Sequence, residues 1–219
     1  MAETLFGETS LDVEVRIPQG FIPLPLRDID GTVARAEELF TDAGPGQISS
    51  AAPRMLQALR VFLRGLGGLG AVYCGLGKHH AADGSDVTST LVLSAVRYGE
   101  PKNPRLALAD YLVTRGRAEE YMHSEVVDFA GKNALLSDRI LRLPAPEWHG
   151  QEQEIEGDAS VYQIEAVVPS GDGTALAVVQ LSTSFTQKGE EFLPMMFSIA
   201  QSLEIRDSRP TPPLSSLDL

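Results

Sequence analysis

The chain holds one cysteine, Cys74, among 219 residues. That excludes an internal disulfide framework and fits a reducing compartment. Bases are scarce as well, 18 Lys and Arg against 30 Asp and Glu, which leaves a net charge of -12. A surface of that sign repels polyanions, so the chain is not a general nucleic-acid binder, and the same charge opposes docking on anionic lipid. No apolar run approaches the roughly 20 residues that a membrane helix needs. The first ten residues carry two acids, no base and no apolar stretch, which is unlike a secretory signal. The expected location is the cytoplasm.

What is present describes a globular chain: 43% hydrophobic residues, 22% charged and a mean hydropathy of -0.04. By area scaling such a chain buries roughly 70% of its unfolded surface, enough for a core without disulfide or metal. Residues 1–10 read as a flexible N-terminus, 11–207 as a single α+β domain, and 208–219, rich in Pro and Ser, as a disordered tail.

Within the domain, Leu11, Val13, Val15 and Ile17 alternate with Asp12, Glu14 and Arg16, the period of a half-buried strand. Pro23 and Pro25 confine residues 21–26 to an extended edge. A helix capped by Asp28 or Asp30 follows, with Val33, Ala36, Leu39 and Phe40 along one side and Gly44-Pro45-Gly46 as its stop. A second starts near Ser49 or Ser50, tolerates Pro53 in its first turn and places Met55, Leu59, Phe62 and Leu66 at helical spacing. Residues 71–80 and 87–98 flank Ala82-Asp83-Gly84-Ser85 as a hairpin, and Asn103 with Pro104 opens a third helix. Strands are expected over 123–129, 134–143, 159–168 and 174–183, with a last helix over 188–201 that Pro194 kinks or delays. Helices in blocks between hairpins imply one antiparallel β-sheet with helices packed on its faces.

The C-terminal half runs through a strand around Tyr162, a Val168-Pro169 exit, a Gly-rich turn, the strand Leu176-Ala-Val-Val-Gln-Leu-Ser-Thr183 and a helix ending in Ala200-Gln-Ser-Leu-Glu-Ile205. This order of parts resembles the PsbP-like superfamily of small bacterial proteins, best over 120–205 and more loosely over 11–98. The resemblance implies a PsbP-like sandwich, an antiparallel sheet between helices, and a role as accessory subunit, partner-binding module or chaperone-like adaptor. It carries over no catalytic residue. The paired helices over 29–66 are longer than the minimal fold needs, and neither a secretion signal nor a lipid-anchor cysteine is present.

Chemistry-bearing motifs are few. Gly65-Leu-Gly67-Gly-Leu-Gly70 spells G-x-G-x-x-G, but it follows a helix and precedes a strand, so it reads as a helix stop and linker. Asp28, Asp30, Gly31, Val33 and Glu37 fit a calcium loop starting at Leu26, where a first ligand is missing, and helix capping accounts for them. Cys74 and His80 share one face of a strand about 20 Å apart, with His79 on the other face, so no single metal takes all three. No G-x-S-x-G elbow occurs. Neither metal nor cofactor is implied, and no catalytic set is assembled. Trp148, the one tryptophan, sits in an acidic loop with Glu147, Glu152, Glu154, Glu156 and Asp158, as a candidate interface anchor. Arg54, Arg60 and Arg64 give the second helix a positive stretch without an acid among 48–64, a second candidate partner surface. The reading is a non-catalytic adaptor or chaperone-like module that binds another protein. Its alternative is an enzyme or small-ligand binder with a pocket between the sheet and the paired helices, near Tyr73, Cys74 and Tyr98; a subunit of a larger assembly is the third.

Overall fold

The computed structural model describes residues 3–6, 11–42, 47–115, 121–143 and 159–207. Glu3–Phe6 (β1) pairs antiparallel with Leu11–Val15 (β2), where every second side chain is buried. Phe21–Pro23 (β3) is a three-residue edge strand, kept short because proline offers the ladder no donor. Ile29–Asp42 (α1) and Gln47–Gly68 (α2) follow. Ala71–His80 (β4) and Asp86–Arg97 (β5) form a hairpin, with Asp83 accepting the Ser85 N–H at its tip. Pro104–Arg115 (α3) starts where Asn103 Oδ1 accepts the Arg105 N–H at 2.9 Å, an N-cap bond that satisfies an otherwise orphaned donor.

His123–Phe129 (β6) and Lys132–Leu143 (β7) are joined through Ala130 and Gly131, both at positive φ, which matches the twist of a two-residue hairpin. Ala159–Pro169 (β8) and Ala175–Thr183 (β9) form the next hairpin. A 3-10 stretch over Thr186–Phe192 leads into Leu193–Ser202 (α4), and Glu204–Asp207 (β10) closes the described chain.

The architecture is α+β. Seven antiparallel strands run in the order β3-β4-β5-β9-β8-β7-β6, and β1-β2-β10 make a smaller antiparallel sheet. Strand alternation sorts the large sheet into two faces. Leu91, Leu93, Ile164, Val179 and Leu181 point to one side, where they meet Met196 and Ile199 of α4 and Leu11, Val13 and Val15 of β2. This is the main core. Each fully buried Leu or Ile there contributes about 2 kcal/mol. On the opposite face α2 packs Leu63 with Cys74 and Val92, and α3 packs Ala107 and Leu108 with Leu135, Val167 and Leu176.

Four details depart from the sequence expectations. Two sheets stand where one was expected, because β10 pairs with β2 through Ile205 opposite Val13. The N-terminal segment, expected to be flexible, contains β1. Helix α2 starts at Gln47, ahead of Ser49, and runs through Gly65 and Gly67 to Gly68, since a helix supported on a sheet tolerates glycine; the chain leaves it at Gly70, φ 74°. Finally, Pro194 delays the last helix without kinking it: the α-helical part begins at Leu193, with proline in the first turn where its missing N–H costs nothing. Residues 208–219 lie outside the described residues.

Candidate functional site

Helices α2 and α3 share one face of the large sheet but sit at different ends of it. Beside α2 on this face lies an open cleft of about 670 Å³. Its floor is made by the residues of β5, β9 and β8 that alternate away from the main core: Thr88, Thr90, Gln180, Ser182 and Gln163. Phe62 and Leu66 of α2 form a wall, and Leu76, Leu141 and Val161 extend the floor with apolar side chains at its margins. Phe62 is 44% exposed and Leu76 46%. A neutral polar floor with apolar margins is the result.

A buried polar cluster ends the cleft on the α3 side. Glu165 of β8, 2% exposed, accepts hydrogen bonds from Arg115 Nη1 at 2.7 Å, Gln180 Nε2 at 2.8 Å, Tyr111 Oη at 2.9 Å and Tyr121 Oη at 3.4 Å. Arg115 also donates to the Tyr111 hydroxyl. Next to it Arg139 donates from Nε and Nη2 to Gln163 Oε1, at 2.9 and 2.6 Å, and lies over the Tyr121 ring. Burying a carboxylate is costly unless charge and hydrogen bonds answer it, and here one guanidinium and three neutral donors do so. Of this cluster it is the fixed amides of Gln163 and Gln180 that line the cleft.

The opposite face has its own polar chain. Tyr162 Oη donates to Asp138 Oδ2 at 2.6 Å, and His123 Nδ1 lies 3.1 Å from Asp138 Oδ1. Burial, then the hydrogen bond to Asp138, raises the Tyr162 phenol above its ordinary range. His79 is held below its usual value by burial between the edges of Phe21 and Phe192, with Ser89 Oγ 3.0 Å from Nε2. Burial likewise pushes the Cys74 thiol up to about 11, so the thiolate needed of a nucleophile or metal ligand is disfavoured.

The residues singled out from sequence fall in different places. Arg54 is exposed on α2, at the outer rim beside Val61 and Phe62. Arg60 and Arg64 turn to α1: Arg64 Nη2 meets Asp30 at 2.8 Å, and Arg60 approaches Asp30 at 3.3 Å and Glu37 at 3.8 Å. They pin the helix pair together and do not join Arg54 in one free positive face. Two of the supposed calcium-loop acids, Asp30 and Glu37, are these ion-pair partners, and the third, Asp28, pairs with Arg35 at 3.5 Å. Trp148 and its acidic loop lie outside the described residues. Cys74 faces α2, His79 faces the main core, and His80 pairs with Asp86 at 2.9 Å. Among the described residues no group of three or more His, Cys, Asp or Glu is placed to hold a metal ion.

The cleft lies between the sheet and α2, but further along β5 than Tyr73, Cys74 and Tyr98. Tyr73 belongs to the main core, Cys74 is covered by α2, and Tyr98 packs near Tyr111. Gln163, Glu165, Gln180 and Ser182 escaped the sequence reading. Their signal was there: polar residues at every second position of two strands whose other positions are apolar.

No family model matches the chain, and no curated protein matches it. Among solved structures, a crystal structure from Bacteroides thetaiotaomicron is similar over 64% of this chain, at 12% identity and a TM-score of 0.34. The match spans 47% of that chain, about half its length. Among the described residues no helix is long and apolar enough to cross a membrane.

Proposed function

We propose that this protein is a non-catalytic, cytoplasmic adaptor or chaperone-like module whose cleft takes up an apolar segment of another protein. The observation that carries the reading is that, among the described residues, no helix covers the cleft's sheet floor. Helix α2 packs on β4 and β5 and α3 on the opposite ends of β7, β8 and β9, so among the described residues no helix covers the strand ends that form the cleft. The cleft has Phe62 and Leu66 of α2 on one side and a sheet floor in which Leu76, Leu141 and Val161 flank neutral amides and hydroxyls that tolerate many sequences. Cys74 and His79, the soft nucleophiles of this region, are turned into packing and do not reach the cleft. The resemblance of the C-terminal half to PsbP-like accessory proteins supports the same reading.

A photo-reactive phenylalanine analogue placed at Thr90, on the floor, tests it in the native cell. Cross-linked peptides should come from an apolar segment of one protein and should vanish when Phe62→Asp breaks the wall. A cleft of this volume is also large enough for a drug-sized molecule. If mass spectrometry instead finds a stoichiometric small molecule in the purified protein, and Thr90 cross-links to no protein, the small-ligand alternative replaces the adaptor reading.

A further inference from the structure

We propose that the outer edge of β6 is a self-association surface, through which a second copy of this chain extends the seven-stranded sheet. β6 ends the strand order, and among the described residues nothing pairs with its outer side. Its sequence, His123-Ser-Glu-Val-Val-Asp-Phe129, has no lysine or proline, and its pairing with β7 has no bulge. Those are among the devices by which natural edge strands avoid pairing with one another; charge, another of them, is present as Glu125 and Asp128 and restricts the register.

The turn decides which backbone groups face outward. Phe129 lies opposite Lys132 across the two-residue turn, and in such a hairpin the flanking residues exchange both backbone hydrogen bonds. Counting back by twos, Val127, Glu125 and His123 also spend their N–H and C=O groups on β7. Those of Ser124, Val126 and Asp128 point away from it. A two-fold axis at Val126 then sets Val126 against its twin and Ser124 against Asp128 of the second copy, and every one of these residues bonds outward. The same register keeps like charges from facing each other: Glu125 lies opposite Val127, and Asp128 opposite Ser124. Moving the two-fold by half a residue would set outward-bonded residues against inward-bonded ones, and moving it onto Glu125 would face that carboxylate with its twin. Val126, 47% exposed, is covered by its own copy.

This self-complementarity favours a second copy over a strand of some other protein. Charge gives the association a signature, since each copy carries -12. Screening that repulsion strengthens the dimer, whereas a basic partner strand would let go as salt rises.

Sedimentation equilibrium on the full chain tests the proposal. A reversible dimer should tighten at least about 10-fold between about 0.02 M and about 0.5 M salt, as the screening length falls from about 20 Å to about 4 Å. Val126→Pro loses only an outward N–H, so it should be monomeric with an unchanged melting temperature. Val126→Lys keeps the donor but sets two ammonium groups face to face, and should dissociate the dimer too. Val126→Cys should form a disulfide-linked dimer on mild oxidation, because Cα atoms of such a pair lie about 5.5 Å apart, within reach of a bridge. Thr90→Cys, in the cleft, should not. A wild type that stays monomeric at every salt, a dimer that weakens with salt or survives Val126→Lys, or equal cross-linking at Thr90→Cys and Val126→Cys would each overturn it.

Discussion

Arg115, in the last turn of α3, places Nη1 2.7 Å from Oε2 of Glu165 on β8. The guanidinium is about a quarter exposed and the carboxylate almost fully buried. Through this contact the helix end and the cleft floor hold each other in place.

Arg115→Met should therefore destabilise the protein by about 3 kcal/mol, since it takes a guanidinium away from a buried carboxylate. Adding Glu165→Gln should recover much of the loss, because an amide tolerates the loss of that cation where a carboxylate does not. Urea unfolding of the two single variants and the double variant measures the coupling. Additive losses would show that the pair does not act as a unit.

His79 predicts a pH dependence. Its folded value lies below the ordinary 6.5 because burial penalises the charged ring. The unfolded chain thus takes up a proton as pH falls past about 6.5 that the folded chain resists, and stability present above that pH is lost in the window just below it. His79→Gln should flatten the fall in melting temperature between about pH 7.5 and about pH 5.5. An identical slope in the variant would assign that dependence to other groups.

Gly189 is placed so that an added Cβ would meet the Tyr162 ring at 2.1 Å. The ring cannot swing aside cheaply, because its hydroxyl is anchored to Asp138 at 2.6 Å. Gly189→Ala should cost about 2 to 3 kcal/mol, in the range of an overpacked core. Combining it with Tyr162→Leu, which removes the clashing ring, should cost less than the sum of the two losses.

Cys74 should resist alkylation in the folded protein at about pH 8, and react fully in denaturant. Its thiol is pushed up to about 11 and is 1% exposed beneath α2, so both thiolate and access are lacking. Mass spectrometry after a timed pulse of iodoacetamide reads the outcome. Rapid native labelling would show that α2 lifts from the sheet.

The hairpins and α3 were legible in the sequence because their signals are local: alternation, turn chemistry at Asp83 and Gly84, and the Asn103-Pro104 start. β10 was not. Glu204-Ile-Arg-Asp207 has one apolar side chain, and its partner β2 lies at the other end of the chain. The basic stretch on α2 was visible, but Asp30, which engages Arg60 and Arg64, belongs to the preceding helix. The cleft was hidden for a related reason. Alternation in β8 and β9 shows two faces, yet only tertiary packing decides that, among the described residues, α2 and α3 leave part of one face uncovered.

The strand order also bears on how the chain reaches its fold. Apart from β5 against β9, every neighbouring pair from β4 to β6 in the large sheet joins strands consecutive in sequence. That seam sets Leu91 opposite Leu181, so closing it brings together positions 90 residues apart in the chain. Loop closure of that length is paid before the contacts that reward it are made. The β4–β5 hairpin and the β6–β9 meander can assemble first, each from local contacts. Neither half has a complete main core, since Leu91 and Leu93 come from one and Ile164 and Leu181 from the other. Until they join, each half exposes an apolar face and an open strand edge, the state in which a chain of this kind is most prone to aggregate.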